Sequence, residues 1–202
     1  MKRILLTALN ISFITISMTA LAGMDEAMEA YREGDYATAF KEMQLLASKG
    51  DRVAQSNLGV MYSQGQGTEK NEVLAVKWHA KSANQNFAVS QVILGDAYQE
   101  GAGVKKNAVE AAKWYRKAAE LGDPFGQQRI AVLLASGIGV KINYDESIQW
   151  LIKSWKQGNE ESRKILSMVM AKEEVMAKND DEKNAIEKKH ADILQSLGYT
   201  LK

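Results

Sequence analysis

The sequence predicts an all-α stack of helix-turn-helix repeats, and three observations carry that reading. Three glycine-rich stretches recur at a spacing of 36 residues: "QGQGTEKN" from Gln64, "EGAGVKKN" from Glu100 and "SGIGVKIN" from Ser136. Apolar residues before them fall at helical spacing, as Ala54, Leu58 and Tyr62 do at i, i+4 and i+8. Cap residues then recur in register, Asn71, Asn107 and Asn143 in one column and Gly50, Asn86, Gly122 and Gly158 in another. Self-similarity at this period marks an array of units that each bury an apolar face against the next.

Residues 1–22 read as a cleavable leader. Lys2 and Arg3 give a basic start, and an apolar stretch from Ile4 to Met18 is diluted by Asn10, Ser12 and several threonines. Ala20-Leu21-Ala22 then offers a small-x-small cleavage pattern before Gly23. The alternative, a membrane anchor, wants roughly 20 strongly apolar residues. A compact unit follows over 23–51, where Gly34-Asp35-Tyr36 and Ala39 make a short turn.

Three full units are expected over 52–86, 87–122 and 123–158. Each first helix carries the apolar stripe and, in two units, a glycine beside it, Gly59 and Gly95. A glycine inside a helix costs about 1 kcal/mol against alanine, so a close approach of the partner helix is the expected compensation. Gly65 ends the first helix in a left-handed turn and Gly67 lets the loop reverse. Each second helix starts at the asparagine column, with Glu110 and Glu146 three residues on as expected capping boxes. Its core stripe is read as Ala75, Trp78 and Ser82, repeated as Ala111, Trp114 and Ala118. Asn86 replaces glycine in the left-handed cap column, as asparagine can. Asp51, Asp123 and Asn159 start the next first helices, and Pro124 sits where its missing N–H costs nothing. Over 159–202, "SRKILSMVMAKEE" extends one more first helix. Asp180 to Leu197 reads as a charged capping helix with an apolar edge at Ile186, Ile193, Leu194 and Leu197, or else as a disordered charged tail.

These columns resemble Sel-one-like repeats, relatives of the tetratricopeptide repeat. Residues 94–123, "LGDAYQEGAGVKKNAVEAAKWYRKAAELGD", match almost every element of that pattern; residues 126–158 match less well, with Ala131 and Leu134 in place of Gly and Tyr. The unit at 24–51 resembles a plain tetratricopeptide repeat through its G-D-Y-x-x-A. The resemblance implies an all-α, α/α right-handed superhelical solenoid whose first helices line a concave face. It also implies a binding role, in adaptors, scaffolds or toxin neutralisation, with no family-wide catalytic residues. Some secreted relatives that close each repeat with a disulfide have been linked to β-lactam and peptidoglycan binding; this chain has no cysteine.

Composition narrows the chemistry. Removing Lys2 and Arg3 from the 26 basic side chains leaves 24 against 25 acidic, a formal charge of −1, which argues against general affinity for nucleic acid or anionic lipid. Without cysteine there is no thiol catalysis, thiolate metal site or lipidated cysteine. The glycine stretches complete neither G-x-x-x-x-G-K-[ST] nor G-x-G-x-x-G, and three phosphate sites in register are not expected of so short a chain. His79 and His190 stand in different elements without ligand spacing, so no metal site is expected. Trp78, Trp114 and Trp150 are read as buried packing rather than an aromatic cage, and Glu173 and Glu174 as solvated surface. Met168, Met170 and Met176 are read as core of an end helix, or as an adaptable contact surface.

The expected function is non-catalytic capture of a protein or peptide partner in the periplasm of a Gram-negative bacterium, with secretion as the alternative, and with no cofactor and no membrane insertion after cleavage. An immunity protein against a periplasm-acting toxin and a peptidoglycan-acting or β-lactam-hydrolysing enzyme are the rivals. A position two residues past a core leucine is turned by about 200° on a helix. The inner face is therefore expected at Ser56, Val60 and Ser63, then Val92, Asp96 and Gln99, then Gln128, Val132 and Ala135. The convex side or the loops are the alternative.

Overall fold

The computed structural model describes residues 23–198; the expected leader lies outside them. Among the described residues all regular structure is helical. A first compact unit ends at Asn107 and holds α1 (23–33), α2 (Tyr36–Ser48), α3 (Arg52–Gln64), α4 (Glu72–Ala83) and α5 (Ala88–Glu100). A second begins at Ala108 and holds α6 (Ala108–Glu120), α7 (Pro124–Ser136), α8 (Tyr144–Lys156), α9 (Glu160–Val175) and α10 (Asp180–Ser196). Within each unit consecutive helices pack on one another, so α3 lies between α2 and α4, and α7 between α6 and α8.

The helix ends follow the sequence closely. Asp51 and Asp123 accept from the N–H groups of Ala54 and Gly126 at 2.8 and 2.7 Å, and Asn71 and Asn143 from Leu74 and Glu146 at 2.9 and 3.0 Å. Asn86, alone among the described non-glycine residues, has a positive φ, 58°, where Gly50, Gly122 and Gly158 stand in the other units. The capping box does not form at Asn143. Its N–H donates to Leu134 O, as those of Asn71 and Asn107 donate to Tyr62 O and Tyr98 O, so this donor is already committed to the first helix. Glu146 turns outward instead, accepting from Arg116 Nη1 on α6 and, at 3.2 Å, from Trp150 Nε1. The hydrogen bond from Arg116 is the chief reason its carboxyl stays below the usual carboxylate range, with burial working the other way.

The second glycine of each G-x-G does more than reverse the loop. A Cβ on Gly67 would lie 2.0 Å from the Tyr36 carbonyl oxygen, on Gly103 2.2 Å from that of Glu72, and on Gly139 2.2 Å from that of Ala108. Each loop thus lies backbone to backbone on the start of the second helix one repeat earlier. All three glycines also have φ near 70°, which side chains rarely adopt. Gly59 shows the expected close approach from α4: its missing Cβ would sit 2.6 Å from the His79 ring.

That ring corrects the core stripe. Ala75, Ser82, Ala111 and Ala118 are buried as expected, but Trp78, Trp114 and Trp150 are only half-buried. The inward position is one residue later, where His79, Tyr115 and Leu151 are 2%, 0% and 0% exposed. One residue is about 100° of helix. Tryptophan therefore lies along the helix flank, with Lys81, Lys117 and Lys153 over the rings at 3.6, 4.0 and 4.2 Å.

A buried polar column went unforeseen. Gln55, Gln91 and Gln127 are at most 5% exposed, and each amide donates to a carbonyl eight residues back, Ala47, Ala83 and Ala119. These carbonyls belong to the last turn of the preceding helix, where each also accepts from the backbone N–H three residues further on, Gly50, Asn86 or Gly122. Ser82 and Ser154 hydroxyls likewise donate to the carbonyls of Arg52 and Pro124 at 2.7 and 2.6 Å.

The segment from Asp180 is a helix. Ile193 and Leu194 of α10 pack against a cluster that includes Leu166, Val169 and Met170. Glu173 and Glu174 are not simply solvated: they meet the two ring nitrogens of His190, 3% exposed, at 2.8 Å each. Lys189 Nζ donates to Glu173 at 2.6 Å and to Asp145 of α8 at 2.9 Å. Burial works against its ammonium, but these bonds outweigh it and hold its pKa above the usual lysine value.

Two outcomes follow for stability. Gly122 and Gly139 both have positive φ, but only Gly139 would carry a Cβ into backbone. Gly122→Ala is expected to cost about 1–2 kcal/mol, the conformational strain alone, and Gly139→Ala clearly more, measured by urea unfolding. His79 is the second case. Burial pushes its pKa from 6.5 down to about 4, and its Nδ1 finds no protein partner. The folded state then binds fewer protons than the unfolded one, so stability falls as pH drops from 6.5 toward 4, by about 3 kcal/mol in the limit. In His79→Leu this part of the acid loss should vanish; equal acid slopes in both proteins would contradict the assignment.

Candidate functional site

The first-helix face of the first unit carries a pocket of about 150 Å3, lined by Met28 and Tyr31 of α1, Met43 of α2, and Asn57, Val60 and Met61 of α3. Its wall is largely thioether and aliphatic, a lining that adapts its shape to what enters. Asn57 is the polar element, half-buried, with Nδ2 3.9 Å from the sulfurs of both Met28 and Met43. Such long contacts to sulfur are weak, which leaves the amide able to pair with a stronger partner. Tyr31 is fixed by donating to Gln66 Oε1 at 2.8 Å and by an edge contact with Tyr36.

The expected inner-face positions fare unequally. Val60 is half-buried and lines this pocket. Ser63 is half-buried, its hydroxyl donating back to Val60 O at 2.8 Å. Val92, Asp96 and Gln99 are half-buried on α5. On α7, Gln128 accepts from Asn159 at 3.5 Å, and Val132 is 38% exposed. Ser56 and Ala135 are corrected: at 4% and 6% exposed they present no side chain to a ligand. A first helix in the stack is embraced by the second helices before and after it, so its buried arc is wider than a two-helix geometry suggests. Met168, in the column of Val60, Asp96 and Val132, is 71% exposed, and Met176 61%, whereas Met170 is core.

The sequence reading missed Met28, Tyr31, Met43, Asn57 and Met61. They come from three helices with no shared period, so only the fold brings them together. Chemically, the pocket can hold an apolar side chain and offer one amide. Among the described residues no group of His, Asp and Glu is arranged to hold a metal ion, and no helix is long and apolar enough to cross a membrane.

Known proteins place this arrangement. The Sel1 repeat profile matches residues 52–87, 88–123 and 124–159, more than half of the chain. A Sel1 repeat protein of Oxalobacter formigenes is 35% identical over 74% of this chain, with a TM-score of 0.68. The c5321 protein, a protective antigen of uropathogenic Escherichia coli strains with this fold, is 31% identical over 89%, with a TM-score of 0.73. Cysteine-rich protein B of Helicobacter pylori, 25% identical, aligns over 63% of this chain and 96% of its own length, with a TM-score of 0.51. A Sel1-like repeat protein of Acanthamoeba polyphaga mimivirus is 50% identical over 46 residues, 23% of this chain. This chain spans 60% and 39% of the first two structures and 8% of the viral protein. The glycine loops, the cap columns and these matches agree: the chain belongs to the Sel1 repeat family.

Proposed function

We propose that the protein is a non-catalytic binding protein that captures a protein or peptide partner in the periplasm, along the face made by its first helices. The observation that supports this most is the methionine-lined pocket around Asn57 and Val60, which offers an apolar seat and one amide beside the Tyr31 ring. Sel1 repeats generally mediate protein–protein contacts, and the 36-residue sequence column of half-buried Val60, half-buried Asp96 and exposed Val132 supplies the first-helix positions proposed to meet an extended segment or a helix. Asp96 is the acid at its centre.

Export rests on the leader pattern before Gly23. In cells that carry the full chain, the mature protein is expected in the osmotic-shock fraction with Gly23 at its N-terminus. A membrane-bound product that still begins at Met1 contradicts this location.

The binding face is tested with a partner identified from envelope extract by the immobilised mature protein. Val60→Glu and Val132→Glu are expected to weaken its capture by roughly tenfold or more, as loss of central apolar anchors does. Asp96→Lys should weaken it too. Lys117→Glu, on a second helix, should leave capture unchanged, all variants being checked for helix content. The reverse pattern, with the first-helix variants folded and binding while Lys117→Glu fails, moves the site to the other side.

A further inference from the structure

The attachment of α10 is unusual for a helix that covers an apolar end. His190 is the one buried residue of α10, 3% exposed, and both its ring nitrogens face carboxylates of α9. Nε2 lies 2.8 Å from Glu173 Oε2, and Nδ1 lies 2.8 Å from Glu174 Oε1. A neutral imidazole has one N–H, and its other nitrogen is an acceptor. An ionised carboxylate is an acceptor only. Both contacts are therefore hydrogen bonds together only when the ring carries two protons and a positive charge.

The surroundings sharpen this requirement. From α10, Lys189 Nζ lies on Glu173 Oε1; from α8, Asp145 accepts from the same Lys189; from α9 come the two glutamates. With the ring charged, two cations meet three carboxylates in alternation. With it neutral, one cation is left among three. Glu173 is 12% exposed at its side chain and held by Lys189, while Glu174, at 31%, is the arm free to swing into water. Ile193 and Leu194, three and four residues further on, are the apolar part of the same attachment.

We infer that His190, Glu173 and Glu174 form a proton-operated latch that holds α10 on the last repeat while the imidazole is charged and loosens it when the proton leaves. Opening uncovers the cluster around Leu166, Val169 and Met170, an apolar end onto which another helix can stack. This inference does not depend on the first-helix binding face.

NMR on the mature protein tests it. The chain has two histidines, so a His190→Gln sample assigns the ring signals by difference. Through a pH titration, the methyl signals of Ile193 and Leu194 are expected to move from packed toward random-coil positions, with the midpoint of the His190 ring signal. In Glu174→Gln the new amide can donate to the bare Nδ1 of a neutral ring. There the methyls should stay packed through the ring titration, although the ring still loses its proton. Methyl signals that ignore the ring in the native protein overturn the latch. So does a Glu174→Gln variant that opens at the ring midpoint as the native protein does, and so does an unchanged methyl titration in His190→Gln.

Discussion

The repeat spacing in this protein rests on backbone touching backbone. At Gly67, Gly103 and Gly139 the loop after a first helix lies against the first turn of the second helix one repeat back, closer than any Cβ permits. Side chains can repack around a substitution, but a carbonyl in the first turn of a helix cannot move without moving the helix. The contact also satisfies its own geometry, because glycine supplies the positive φ the loop needs there. Within each unit the rest follows: two second helices are held at a fixed offset and a first helix falls between them, α3 between α2 and α4, and α7 between α6 and α8.

With that frame set, polar groups do inside the repeats what disulfides do in small disulfide-bonded proteins. The glutamine column ties each first helix to last-turn carbonyls of the helix before it, and Gln85 and Gln157 donate to the side-chain oxygens of Gln55 and Gln127 at 2.8 and 2.9 Å. A buried side-chain amide left alone costs more than the bond it makes contributes, so these carbonyls matter by satisfying the buried glutamines. Gln91, whose Oε1 has no partner, shows that one acceptor in the column can go unmet.

The fold was largely legible because its punctuation is local. The caps at Asp51, Asn71, Asp123 and Asn143, the left-handed Asn86 and the glycine loops each depend on a few consecutive residues, and each stands where the period places it. The inward side of a helix is not local. Trp78 and His79 share a column boundary, and the choice between them is made by where α3 runs, with Gly59 opening the space the ring fills. The same reason buries Ser56 and Ala135, which a rotation counted from one core leucine places outside. The pocket was illegible for a stronger reason: Met28, Met43 and Asn57 have neither period nor proximity in the chain.

The first and last described helices face a problem the inner helices of their units do not, since each has fewer described helices to cover its apolar side. At the start, α1 and α2 meet through a tight turn capped by Asp35, and small residues such as Ala27, Ala30 and Ala39 let the pair pack closely enough to bury itself. At the other end α10 is too polar for that solution, and Ile193 and Leu194 are the residues it packs on the cluster around Leu166, Val169 and Met170. A more apolar α10 would hold better but would leave a sticky helix whenever it detached. Charge resolves the conflict. His190 and Lys189 supply attachment that exists only in place, between carboxylates of α8 and α9, and that reverts to well-hydrated ions when the helix leaves. An end built this way grips by complementarity rather than by apolar area, so its strength can be set by a single proton without altering the packing of the repeats beneath it.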